Sequence, residues 1–217
     1  MEHKQLELFQ QAVTACNVGC HIIFKDSSNL SQTDKGLRLR LYEDYNYQPL
    51  QVFLEQYVTA GSIVRYEDSF GMYYTLVHIP AAYLYDYESS HFVIGPYLEN
   101  QLETVQIRKT MEQRRIPDSL FSDIRLVYSS TPVLHNMESF EALIVNLARG
   151  LFHVEYKVSH LPDKNEIFME HSPLILKLRK EPQISISTIE ERYEVENKML
   201  EAVSKGDDRR AHEFYQK

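Results

Sequence analysis

Three stretches rich in β-branched and aromatic residues, 62–67, 72–79 and 91–97, follow one another in the middle of the chain. Only Asp68-Ser69-Phe70-Gly71 separates the first two, a length that suits a tight reversal, so they are expected to pair as an antiparallel hairpin. In the second stretch, period two puts Met72, Tyr74, Leu76 and His78 on one face and Tyr73, Thr75, Val77 and Ile79 on the other. This block must form a sheet, and the remaining segments must cover it.

The flanking segments carry helical spacing. Leu6, Leu8, Phe9, Ala12 and Val13 recur at three and four residues, which predicts an amphipathic helix over 3–15. Residues 21–26 have strand character and end in the turn-forming Ser27-Ser28-Asn29. Leu37-Arg38-Leu39-Arg40-Leu41 alternates strictly, which favours a half-buried strand over a helix. Pro49 opens a helical run with Leu50, Phe53, Leu54, Tyr57 and Val58 on one face, closed by Gly61. Helices are also expected over 102–115, 117–128 and 138–152, the last two with faces Leu120/Phe121/Ile124/Val127 and Phe140/Leu143/Ile144/Leu147/Leu151. Helix, strands and then helices make an α+β chain with an antiparallel sheet.

Composition narrows the function classes. A net charge of −8 over 217 residues, with no basic stripe, makes these residues a poor match to a phosphate backbone. The apolar runs are far shorter than the roughly 20 residues of a membrane span, and no secretory leader pattern opens the chain. With two cysteines only, a reducing, cytoplasmic setting is expected and no membrane partner.

Catalytic and cofactor motifs are missing. The closest glycines, Gly61 and Gly71, are too far apart for a phosphate-cradling loop, and neither G-x-S-x-G nor H-E-x-x-H occurs. Cys16-Asn17-Val18-Gly19-Cys20-His21 gathers thiols and an imidazole, yet no second ligand pair completes a zinc site, and free cysteines are commonly buried as small hydrophobes. A redox role for Cys16 and Cys20 has only their proximity in its favour. No metal, cofactor or catalytic residue is assigned, and the chain is not expected to be an enzyme. The Arg108-Lys109 and Arg114-Arg115 pairs are read as a solvated helix face.

Tyrosine is the more informative residue. Fifteen tyrosines and no tryptophan occur, with Tyr66, Tyr73, Tyr74, Tyr83, Tyr85, Tyr87 and Tyr97 on or between the central strands. An aromatic body with a polar tip suits a small-molecule pocket. Tyr66, Tyr74, Leu76, His78 and His91 are the candidate ligand-binding residues.

The tail regains a sharp pattern. Thr188 and Glu191 form a capping box, and Ile189, Tyr193, Val195, Met199, Ala202 and Val203 supply apolar positions for a helix over 188–205 stopped at Gly206. Asp207 can cap a further helix with Ala211, Phe214 and Tyr215 on one face, too short to hold itself in water.

Several of these stretches resemble the N-terminal regulatory part of AraC-family transcription regulators of the Firmicutes type. They are Tyr66-Glu67-Asp68-Ser69-Phe70-Gly71 with the strand that follows, Ile94-Gly95-Pro96-Tyr97-Leu98, and Arg115-Ile116-Pro117. The most specific is the run from Ile189 to Asp207, similar to the R-Y-x-x-E-N-x-x-L-x-A-V-x-x-G-D helix that precedes the DNA-binding domain in such regulators. The resemblance implies a PAS- or GAF-like sensor over 1–158, a connector over 159–187, a linker and signalling helix over 188–205, and at 206–217 the start of a truncated helix leading to an absent DNA-binding domain. It also implies a homodimer, a small-molecule effector, and DNA contact only through that missing domain. A stand-alone small-molecule binding module and an enzyme using Cys20 with a histidine are the other readings.

Overall fold

The structure, a computed structural model, describes residues 2–24, 30–43, 45–84 and 90–161. In chain order these form α1 (Glu2–Thr14), β1 (Cys20–Phe24), α2 (Leu37–Leu41), α3 (Gln48–Tyr57), β2 (Ser62–Glu67), β3 (Tyr73–His78), β4 (Ser90–Tyr97), α4 (Thr104–Gln113), α5 (Phe121–Ser130), α6 (Met137–Phe152) and β5 (Lys157–Leu161). The connector from residue 162 onward and the tail helix, with Ile189, Tyr193, Val195, Met199, Ala202 and Val203, lie outside the described residues.

The fold is α+β around one five-stranded sheet in the order β1-β4-β3-β2-β5. Strands β2, β3 and β4 form the expected antiparallel run, with Tyr66 opposite Tyr74 and His78 opposite His91, and β1 joins β4 antiparallel. The expectation of a wholly antiparallel sheet is corrected at one edge, where β5 lies parallel to β2. Parallel neighbours need a long crossover, and the chain from β4 through α4, α5 and α6 supplies it.

Pro96 in the interior strand β4 is accommodated by a bulge. Pairing with β3 steps from Tyr73↔Tyr97 to Thr75↔Ile94, leaving Gly95 and Pro96 opposite Tyr74 alone, while pairing with β1 stops at Ile94. The missing N–H of Pro96 therefore breaks no ladder bond. Gly95 has φ +136°, and a Cβ there would stand 2.8 Å from the Tyr73 carbonyl oxygen, so only glycine fits.

Both sheet faces are buried. One carries Ile63, Val77, Ile79, Phe92, Ile94 and Tyr97 under α1 and α6, whose Phe9 and Phe152 stack with Phe92. The other carries Val64, Tyr66, Met72, Tyr74, Leu76 and Val93 under α2, α3, α4 and α5. In α6 the apolar face runs through Phe140, Ile144, Ala148 and Phe152, whereas Leu143, expected on it, is 44% exposed.

The strand expected over 37–41 is a helix. Leu37, Arg38 and Leu41 turn inward while Leu39 and Arg40 face out, a helical period that strict alternation conceals. Long-range charge decides it. Arg38 is fully buried and bonds Asp34 at 3.0 Å and Asp68 at 2.8 Å, both carboxylates being fully enclosed. Asp34 also accepts from the backbone N–H of Gly36 and Arg38 and from the Tyr47 hydroxyl at 2.6 Å. The second Asp68 oxygen accepts from the N–H groups of Phe70 and Met72, both at 2.9 Å. The surplus negative charge is thus spread over amides and phenols, the condition under which buried ions are tolerated. Burial opposes the charge on Arg38, but Asp68 and Asp34, with Tyr74 and Tyr45, outweigh it and hold its pKa well above the ordinary value.

Removing the guanidinium strands two buried carboxylates. Arg38→Met is expected to lower the unfolding free energy by about 3–5 kcal/mol, read from urea unfolding at neutral pH; a loss under about 1 kcal/mol would mean the ions are effectively solvated.

Candidate functional site

The five candidate ligand residues are brought together as period two requires. Tyr66, Tyr74, Leu76, His78 and His91 share the sheet face beneath α3. Tyr66, Tyr74 and Leu76 are each 1% exposed, and Phe53 of α3 closes on Tyr66 at 5.4 Å between ring centroids. Here the tyrosines work as core residues. The Tyr74 hydroxyl approaches Asp68 at 3.5 Å, and burial, with the nearby Asp68 carboxylate, raises its pKa well above normal.

His91 binds the end of α3 to the sheet. Its Nε2 lies 3.0 Å from the Val58 carbonyl oxygen, which requires the proton on that nitrogen, and the His78 ring meets it edge-on at 5.6 Å. Burial pushes His91 from 6.5 down to about 4, against the Val58 hydrogen bond, which favours the proton. This is a neutral structural imidazole. The Nδ1 of His78 is buried with no hydrogen-bond partner among the described residues, and Tyr156 donates to the His78 carbonyl instead.

Both cysteines of the Cys16–Cys20 cluster are free thiols. Cys16 points its thiol at the Ala12 carbonyl within α1, and Cys20 is 5% exposed at the start of β1. Burial pushes the Cys20 thiol up to about 12, which withholds the thiolate that nucleophilic or redox chemistry needs. Among the described residues, no three His, Cys, Asp or Glu side chains gather to hold a metal ion, and no helix is long and apolar enough to cross a membrane.

An open cleft of about 600 Å³ lies elsewhere, between the start of α4 and the second half of α5. Leu102, Val105, Ile107, Arg125, Tyr128 and Ser129 contribute to its walls, along with Gln101, Glu103 and Thr104. The sequence marks its two helices but not the space between them. Glu103 is occupied by a capping box: its carboxylate accepts from the Gln106 N–H while Gln106 Oε1 accepts from the Glu103 N–H at 2.8 Å. Tyr128 is 4% exposed and donates its hydroxyl to the Phe70 carbonyl at 2.6 Å. Phe70 belongs to the same turn that Asp68 holds, so one hydrogen bond joins the cleft wall to the buried ion network. The Asp34–Arg38–Asp68 arrangement was not anticipated from sequence; the i,i+4 spacing of Asp34 and Arg38 is the signal that could have found it.

Comparison of the chain with models of known protein families, with curated proteins and with solved structures finds no match.

The titration of His91 gives this region a pH signature. An unfolded chain takes up the imidazole proton as pH falls through 6.5, whereas the folded protein resists until about 4. Stability is therefore full above 6.5 and lost progressively below it, by up to about 3 kcal/mol. His21 and His78 are also held low by burial and act in the same direction. Urea midpoints at pH 7 and pH 5 should fall less in His91→Gln than in the parent; equal falls would mean His91 is protonated in the native state.

Proposed function

We propose that this chain is the regulatory, small-molecule-sensing and dimerising domain of an AraC-family transcription regulator, with a PAS/GAF-like sensor followed by a signalling helix. The observation that carries the reading is the run Arg192-Tyr193-Glu194-Val195-Glu196-Asn197-Lys198-Met199-Leu200-Glu201-Ala202-Val203-Ser204-Lys205-Gly206-Asp207, similar to the helix that leads into the DNA-binding domain of such regulators. Support from the described residues is coarser: a sheet sandwiched by helices, and a cleft within the 300–1,000 Å³ range of small-molecule sites.

On this reading DNA contact belongs to a domain outside these residues, in keeping with a net charge of −8. The setting is cytoplasmic. An effector acts by differential affinity: it must prefer one sensor conformation, and the helix over 188–205 converts that preference into a change in the spacing of two DNA readers. Tyr66, Tyr74, Leu76 and His91 then act as the rigid floor of the sensor, and the effector site is the cleft beside α4 and α5.

Dimerisation through the tail is the testable core of this reading. Sedimentation equilibrium of the full chain should give a dimer, with a dissociation constant raised at least about tenfold in Met199→Asp or Tyr193→Asp. A chain monomeric at every concentration, or a dimer indifferent to both changes, contradicts the signalling-helix assignment and leaves a stand-alone binding module.

A further inference from the structure

His78 and His91 face each other across β3 and β4 where a sheet brings side chains closest. The next pair along carries the ladder bond, from the Ile79 N–H to the Ser90 carbonyl at 3.0 Å, so the two histidines form a non-hydrogen-bonded pair. Their ring centroids are 5.6 Å apart with planes at 78°. His91 is 4% exposed and His78 is half-buried.

No opposite charge reaches this pair. Burial, the Val58 carbonyl and the His78 ring govern the titration of His91, and burial governs that of His78. The charged groups on the neighbouring elements, Glu55 on α3, Glu155 before β5 and Lys157 at its start, are exposed and act on neither ring. On β1, Ile23 stands opposite His91, and His21, two residues away, is a third imidazole held low by burial. Tyr156 donates to the backbone carbonyl of His78. A proton taken up by either ring thus makes a cation that faces an imidazole and no carboxylate.

Beside the pair lies the corner between α3 and β2. Most of α3 is anchored by Leu50, Phe53 and Leu54, none more than 3% exposed. Past Leu54 only Val58 is buried, for Tyr57 is 43% exposed and Thr59 and Ala60 lie in water. The strand side is fixed, since the Gly61 carbonyl accepts from the Lys157 N–H at 2.8 Å. What can give is the last turn of α3, which hangs on one valine and on the bond from His91 Nε2–H to the Val58 carbonyl.

We propose that the His78–His91 pair is an acid-operated latch: protonation opens the last turn of α3 and the corner at Val58–Ala60, while the sheet and the rest of α3 stay folded. The bond to Val58 uses a proton that His91 carries in both charge states, so acid does not break it directly. The charge is costly because it is desolvated beside a second imidazole, and water entering at the corner relieves both penalties. The latch is closed at neutral pH and opens as the pH falls below 6.5 towards 4. It is independent of the transcription-regulator reading.

The test is amide exchange of the full chain at pH 7 and pH 5, corrected for the intrinsic effect of pH. Relative to the amides of β3 and β4, those of Tyr57 and Val58 should lose protection at least about tenfold at pH 5. His91→Gln keeps a donor for the Val58 carbonyl that does not titrate, and should hold the corner closed at both pH values. His78→Gln removes the facing imidazole and should move the opening to lower pH. Protection lost equally across α3 and the sheet would mean global acid unfolding and overturn the latch. Full protection of Tyr57 and Val58 at pH 5, or the same opening in His91→Gln, would overturn it as well. Dimerisation through the tail bears on none of these outcomes.

Discussion

The guanidinium of Arg38, buried between two carboxylates, is the constraint on which the described structure turns. It ties the adjoining loop at Asp34 and helix at Arg38 to the hairpin turn at Asp68, thirty residues on. Each carboxylate does a second task. Asp34 receives Tyr47, the residue before α3, and Asp68 folds its turn by accepting from Phe70 and Met72. An ion pair replaced by hydrophobic residues is often no less stable, so its value here lies in specificity: few arrangements could satisfy five donors and three charges at once without water.

The two faces of the sheet are consequently unlike. Under α1 and α6 the contacts are mostly apolar, built on packed aromatic rings, and a sequence with the right hydrophobic volume would fill that layer about as well. Under α2 to α5 the packing includes the ion network, and helix position is fixed by hydrogen bonds as well as by volume. Tyr128 extends the network into α5 through the Phe70 carbonyl, and the same residue contributes to the wall of the cleft. A ligand that moved Tyr128 would bear on the Asp68 turn directly, which is a physical route from an outer wall to the core.

Much of the scaffold was legible in the residues. The strands of the central hairpin, the amphipathic helices and the face sharing of Tyr74, Leu76 and His78 all follow from period and turn chemistry, since those are local properties. What escaped is non-local. Alternation made residues 37–41 look like a strand because the partner that buries Arg38, Asp68, lies thirty residues on. The parallel placement of β5 depends on the path of three helices rather than on any feature of Lys157–Leu161. The candidate ligand tyrosines were correctly gathered on one face, yet whether a face is core or pocket depends on what is laid over it, and α3 covers this one. The cleft between α4 and α5 is likewise a property of two helices meeting, invisible in either alone.

Whether Arg38 and Asp68 act as one unit is decided most directly by a double-mutant cycle in urea, using Arg38→Met, Asp68→Asn and the pair. Interdependent groups give a double variant that is less destabilised than the two single losses together, with a coupling of about 2 kcal/mol or more. Losses that add to within about 0.5 kcal/mol would show that the two residues stabilise the fold independently, and the ion network would then be a by-product of packing rather than its organiser.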